Sequence, residues 1–168
     1  MTPAEHLAAA LAGLGFNSDV EMNDTHERVA KMLAEFVPSS PLPPMEPLLT
    51  QSNDLVVIRD LPFHSLCAHH LLPFFGTCTI LYKPNRKIAG LGWFPRLLRH
   101  LARQPQLQER LCSQIADSID AALSPSTLGV RLTARQMCVE MRGPNSPGTF
   151  ETRTWRGVSQ AAFSHLLG

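Results

Sequence analysis

A chain of 168 residues is long enough for one domain with its own core and leaves little room for a second. Hydrophobic residues make up 44% and charged residues 17%, which excludes an intrinsically disordered chain. Fifteen Lys and Arg against fourteen Asp and Glu leave a net charge of +1, so a general nucleic-acid or membrane-surface binder is excluded and any cationic function must be local.

Thr2, Pro3 and Glu5 form a capping box with proline at the first helical position, and Gly13 and Gly15 close that first helix. A second helix is predicted from Asn23 to Thr25 onward, with Val29, Met32, Leu33 and Phe36 on one face and Arg28 and Lys31 as neighbours on another. Five prolines in the ten residues Pro38 to Pro47 rule out helix or central strand there, so this stretch reads as an extended connector. The expected organisation is an N-terminal helical arm (1–37), a proline-rich connector (38–53) and a main body (54–168).

The body opens with a short strand at Leu55–Ile58, followed by a loop or tight turn from Phe63 to Gly76. Thr77–Tyr82 reads as a strand, with Lys87–Leu91 as its hairpin partner after a turn through Asn85. Helices are expected from Phe94 to Arg103 and from Pro105 onward, the latter carrying Leu107, Leu111, Ile115 and Ile119 at intervals of four. Val130–Met141 reads as a strand pair or one long strand, Thr149–Trp155 as another strand, and Ser159–Leu167 as a final short helix. No apolar run is long enough to span a bilayer and the start lacks a signal-peptide pattern, so a cytoplasmic protein is expected, without membrane or nucleic-acid partners. Its four cysteines are then expected to be reduced, which directs attention to metal binding.

Cys67 and His70 lie three apart, a spacing that lets a tight turn aim a thiolate and an imidazole at one point. Cys138 is the natural third ligand, because its strand packs near the turn if the sheet is antiparallel; three donors leave the fourth tetrahedral position that catalytic zinc keeps open. His69 beside them is a candidate general acid or base. Spacing alone leaves another reading open, in which the histidines are ordinary turn residues and Cys138 an inert core thiol.

The segments Ser65–Gly76, Ala89–Leu91, Arg96–Leu97, Gln106–Leu111 and Cys138–Gly143, in that order and spacing, closely resemble the GTP cyclohydrolase I family. Thr25 to Met32 is similar to that family's N-terminal helix motif, so the resemblance covers nearly the whole chain. It implies an α+β tunnelling fold, an antiparallel sheet with helices packed on one face, assembled into a pentameric or decameric ring with active sites between subunits. It implies Zn2+ held by Cys67, His70 and Cys138, and a guanine nucleotide that is hydrated at C8, ring-opened, deformylated and closed into a dihydropterin triphosphate. Glu109, with Gln108, matches the family's guanine reader; a carboxylate accepts from both N1–H and the 2-amino group, a pattern adenine does not offer. Arg28, Lys31, Arg96 and Arg142 match the positions that hold the triphosphate.

Against that pattern there are three departures. The family's second catalytic histidine, two residues before the second cysteine ligand, is Gln136, which cannot exchange a proton near neutral pH. An acidic residue between the first cysteine and the histidine pair is Ala68, and a Ser-Lys pair is Gly92-Trp93, where Trp93 is a candidate for stacking on a base or ribose, although a large aromatic is more often core or interface. The expectation is an altered hydrolase: ring opening persists, while later steps lack a proton carrier and turnover stops at a formylamino-pyrimidine, or a modified guanine nucleotide is used. The alternatives are a full cyclohydrolase, in which Gln136 or a nearby group relays protons through water, with His64, His100 and His165 as candidate substitutes, and an inactive binding or ring-assembly paralogue.

Overall fold

A computed structural model describes residues 1–16, 19–37 and 40–157. Two compact units divide the chain, Met1–Ser39 and Ser40–Gly168. In the first, helix α1 (Pro3–Gly13) starts with the expected capping box: Glu5 N–H donates to Thr2 Oγ1 at 3.2 Å and Thr2 N–H to Glu5 Oε2 at 2.6 Å. Helix α2 (Thr25–Ala34) follows Asp24, whose φ of 59° turns the chain sharply into it. No residue of either helix is buried, and Met32 is 42% exposed.

The second unit begins with a two-residue strand β1 (Leu48–Leu49), then the long strands β2 (Val56–Cys67) and β3 (Pro73–Lys83). Then come β4 (Lys87–Ile88), helix α3 (Trp93–Ala102), β5 (Pro105–Gln106), helix α4 (Gln108–Leu123), β6 (Thr127–Gln136), the one-turn helix α5 (Met137–Glu140) and β7 (Phe150–Gly157). Five strands form one sheet in the order β5-β2-β3-β6-β7, antiparallel except where β5 joins β2. Its inner face carries Phe74, Cys78, Ile80 and Tyr82 from β3 and Leu128, Val130, Leu132 and Ala134 from β6. Against it lie Phe94, Leu97 and Leu98 of α3 and Leu111, Ile115, Ile119 and Leu123 of α4, so the four-residue apolar spacing of the sequence becomes the core stripe. This is the expected α+β architecture.

Four local expectations are corrected. Phe63–Gly76 is mostly strand, because β2 runs to Cys67 and β3 begins at Pro73, leaving a turn of Ala68–Leu72. The polar Ser65 disguised the strand; it is 1% exposed, its hydroxyl donating to Ala102 O at 2.7 Å. Lys87–Ile88 does not pair with β3, whose two edges are taken by β2 and β6; it pairs with Leu48–Leu49 instead. The helix predicted from Pro105 starts at Gln108, since the backbone at Pro105–Gln106 pairs with Leu66–Cys67 and tertiary pairing overrides proline's preference for a first helical turn. The strand predicted over Val130–Met141 ends at Gln136, where α5 begins. The helix expected over Ser159–Leu167 lies outside the described residues.

Gly76 is required by close approach: a Cβ there would stand 1.9 Å from Thr133 O and 2.7 Å from Ala134 Cα, both backbone atoms of β6. Gly76→Ala is expected to force β3 and β6 apart and cost about 3 kcal/mol, read as a lowered midpoint of chemical denaturation.

Cys78 and Cys112 are buried thiols in the core. Burial pushes both up, Cys112 to about 12. The folded chain therefore keeps two protons that an unfolded chain releases above its ordinary thiol value of about 8.5. The stability these thiols contribute is complete below that value and declines as pH rises from there toward about 12. The thermal midpoint is expected to fall between pH 8 and 10 less steeply in a Cys78→Ala/Cys112→Ala chain; equal slopes would contradict the assignment.

Candidate metal centre and adjoining cavity

The hairpin between β2 and β3 places the first two donors. Cys67 N–H donates to Leu72 O at 2.8 Å, and Leu71 N–H to Cys67 O at 2.8 Å, closing the turn. Leu71 sits at φ 55°, the left-handed region that a leucine enters only when its surroundings impose it. The turn is also tied sideways: Ala68 N–H donates to Gln106 O at 3.0 Å, within the β2–β5 pairing of Cys67 with Gln106. Gln106 is fully buried, its amide donating to Leu101 O and Gln114 Oε1 and accepting from Arg110 Nε. The start of α4 is thereby fixed to the turn that carries Cys67 and His70.

The third donor arrives from β6. Gln136 is opposite Phe74 in the sheet, and α5 then lifts Cys138 over the turn. Ligand atoms of Cys67, His70 and Cys138 all lie within 4.8 Å of one another. Cys67 Sγ is 4.0 Å from His70 Nδ1 and Arg142 Nη1 lies 2.7 Å from His70 Nε2, so Nδ1 is the ring nitrogen that faces the thiols. Burial, reinforced by the neighbouring Cys67, holds the Cys138 thiol above its ordinary value. Two thiols and an imidazole converging in this way are a donor set that suits zinc, and three ligands leave one tetrahedral position open.

Beside this group is a cavity of about 300 Å³ lined by Cys67, His69, Gln106, Leu107, Gln108, Glu109, Gln136, Cys138, Val139, Phe150, Glu151 and Thr152. Gln108 is 5% exposed and donates through Nε2 to Leu132 O at 3.2 Å and Phe150 O at 3.0 Å. Its Oε1 accepts from Gln136 Nε2 at 2.8 Å, and Gln136 Oε1 lies 4.0 Å from Cys138 Sγ. Glu109 is exposed in the first turn of α4, where the positive end of the helix favours a carboxylate.

Six of the residues singled out in the sequence therefore share one cavity: Cys67, His69, Gln108, Glu109, Gln136 and Cys138, with His70 and Arg142 joined at its edge. Arg96 is exposed on α3 and does not line the cavity. Trp93 departs from the stacking role expected of it: it is 4% exposed, packs edge-on against Phe94, and donates from Nε1 to Pro43 O at 3.2 Å, so it is a core side chain of this unit. Arg28 belongs to the first unit, where its Nη2 donates to Asn23 O at 2.7 Å and Thr25 Oγ1 at 2.9 Å; Lys31 is exposed on the same helix. His64 stacks on Phe75 and His100 is half-buried on α3; neither lines the cavity, and His165 lies outside the described residues. Sequence reasoning missed Phe150, Glu151 and Thr152. The antiparallel pairing of Ala134 with Phe150 brings them to the site, a signal available only once the partner of that strand is known.

Fold and site together define a class: an α+β protein with a Cys-His-Cys metal-type group at one end of a largely antiparallel sheet, beside a cavity bearing two carboxylates, Glu109 and Glu151, and two interlocked amides. The model of the GTP cyclohydrolase I family matches residues 4–164. The chain is 42% identical over 154 residues to the GTP cyclohydrolase 1 of Aquifex aeolicus (strain VF5), covering 88% of this chain and 82% of that one. It is 40% identical over 146 residues to the GTP cyclohydrolase 1 of Hydrogenobaculum sp. (strain Y04AAS1), covering 86% and 80%. Among solved structures, the apo form of archaeosine synthase QueF-Like matches with a TM-score of 0.47 and 16% identity, over 62% of this chain and 96% of its own. The chain belongs to the GTP cyclohydrolase I family.

Proposed function

We propose that this protein is a zinc-dependent hydrolase that opens the imidazole ring of a guanine nucleotide and whose turnover is altered at the later, deformylating step. The observation that supports it most is the convergence of Cys67, His70 and Cys138 beside the cavity that also holds His69, Glu109 and Gln136. Zinc held by those three residues would supply Lewis acidity and a hydroxide nucleophile near neutral pH. Glu109 accepts from N1–H and the 2-amino group of guanine and so turns the opposite, imidazole edge toward the metal group. Arg142, with Arg28, Lys31 and Arg96 in the assembled protein, holds the triphosphate. A pentameric or decameric ring of this chain completes the site.

In the reaction, water adds its oxygen to C8 and a proton to N7; the C8–N9 bond then breaks, N9 takes a proton, and the formyl group stays on N7. His69 lines the cavity and moves these protons. Release of formate needs a second water and protonation of N7 as it leaves, the task for which Gln136 has no proton to give. The relatives, named GTP cyclohydrolase 1 at about 40% identity, favour a second reading in which the whole sequence to dihydropterin triphosphate and formate is completed.

The recognition half of the proposal is tested with zinc-loaded protein offered GTP and ATP in separate reactions. GTP is expected to be consumed and ATP left unchanged, and Glu109→Ala to lower kcat/KM for GTP by about 10⁴-fold, the scale on which a site loses a substrate whose paired polar groups it can no longer match. Equal consumption of ATP, or an unaffected Glu109→Ala chain, would remove guanine recognition from this cavity.

A further inference from the structure

We propose that Gln136 is a specificity-determining residue that selects guanine nucleotides carrying a hydrogen on N7, and that Gln108 is the positioning residue that sets its orientation. The inference rests on the reading above, in which the imidazole edge of guanine faces the metal group.

The orientation follows from groups that have no choice. Leu132 O and Phe150 O are carbonyls and only accept, so the Gln108 group facing them, at 3.2 and 3.0 Å, is its NH2. Gln108 Oε1 is therefore an acceptor, and the Gln136 atom 2.8 Å from it is the donating NH2. Gln136 Oε1 is turned the other way, to the side where Cys138 Sγ lies at 4.0 Å. Reversing Gln136 would set oxygen against oxygen, and reversing Gln108 would leave two carbonyls without their donor beside a side chain that is 5% exposed. The pair is locked, and the face it offers toward the metal group is an acceptor.

Of the atoms flanking C8, N9 bears the ribose, so N7 is the one that can meet a hydrogen-bonding side chain. In guanine N7 has a lone pair, and the locked amide would face it acceptor to acceptor. In the C8 hydrate, in the ring-opened formamide and in 8-oxoguanine, N7 carries a hydrogen that Gln136 Oε1 can accept. Hydration delivers a proton to N7, and breaking C8–N9 leaves it there, so Gln136 fits the species after water addition better than the starting nucleotide. An imidazole in this place, with one N–H held by Gln108 Oε1, could accept when neutral and donate when protonated; the face that the locked amide turns toward the metal group only accepts.

Calorimetric titration of the zinc-loaded protein with 8-oxo-GTP, which has N7–H, and 8-aza-GTP, whose N7 has a lone pair, separates these cases, since neither has a hydrogen-bearing C8 to be hydrated. The wild-type chain is expected to bind 8-oxo-GTP about tenfold more tightly, the size of one hydrogen bond gained over one repulsive contact. Gln136→Met should erase that preference and Gln136→His should narrow it. Gln108→Met, which frees the amide of Gln136 to turn, should narrow it as well, a change in ratio that a merely structural role would not produce. The two Gln136 substitutions leave the donors to Leu132 O and Phe150 O in place and decide the matter if Gln108→Met is poorly folded. A preference unchanged in Gln136→Met would overturn the inference and leave the nucleotide reading intact; failure to bind either nucleotide would overturn both.

Discussion

Cys138→Ser is expected to reduce the zinc content of the purified chain from one per subunit to well below it and to abolish turnover of GTP. Serine keeps the size of cysteine, yet its hydroxyl is not ionised near neutral pH and is a poor partner for a borderline-soft cation. The two remaining donors, Cys67 and His70, come from a single turn and would bind the metal from one side only. Losing a direct ligand should cost more than the roughly 10–100-fold in affinity or activity that loss of a group hydrogen-bonded to a ligand typically costs. The fold should survive, because Cys138 only packs against the edge of the core that α3, α4 and the sheet build. The check pairs elemental analysis with far-ultraviolet circular dichroism: lost zinc with a retained spectrum is the expected result, and full zinc content would exclude Cys138 as a ligand.

Gln136→His should move the product. An imidazole at the end of β6 can still donate to Gln108 Oε1, so the hydrogen bond that holds this position is preserved. Its other nitrogen can carry a proton to N7 as formate departs, a contribution of about 10²–10⁴ in rate for a well-placed general acid. Formate release, measured with formate dehydrogenase, is expected to rise by that order over the wild-type chain. No gain would place the limitation at Ala68, where a carboxylate is missing beside the ligands, or at Gly92.

Much of the site was legible in the sequence because its residues cluster in short segments. Cys67 and His70 share one turn, Gln108 and Glu109 one helix start, and Gln136 and Cys138 one strand end, and the structure brings all three segments together. The capping box of α1 and the apolar stripe of α4 were legible for the same reason, being local patterns. Long-range pairing was not. Lys87–Ile88 reads as a hairpin partner of β3 until both edges of β3 are seen to be occupied, and Pro105 reads as a helix start until its pairing with Leu66 is known. Trp93 was open between two readings, because an aromatic in place of a polar pair suits a stacking platform and a core alike; its burial and its bond to Pro43 O make it part of the packing. The amide lock between Gln108 and Gln136 was out of reach altogether, since it depends on the direction of two backbone carbonyls on separate strands.

The central claim is that water opens the guanine imidazole ring while Gln136 withholds the proton needed to finish. Mass spectrometry of the nucleotide after incubation of zinc-loaded protein with GTP, with formate and pterin absorbance followed in the same tube, tests it most directly. A nucleotide heavier than GTP by one water, without formate or pterin, is the expected result. Stoichiometric formate with a dihydropterin triphosphate would contradict an altered reaction, and unchanged GTP would contradict hydrolysis itself.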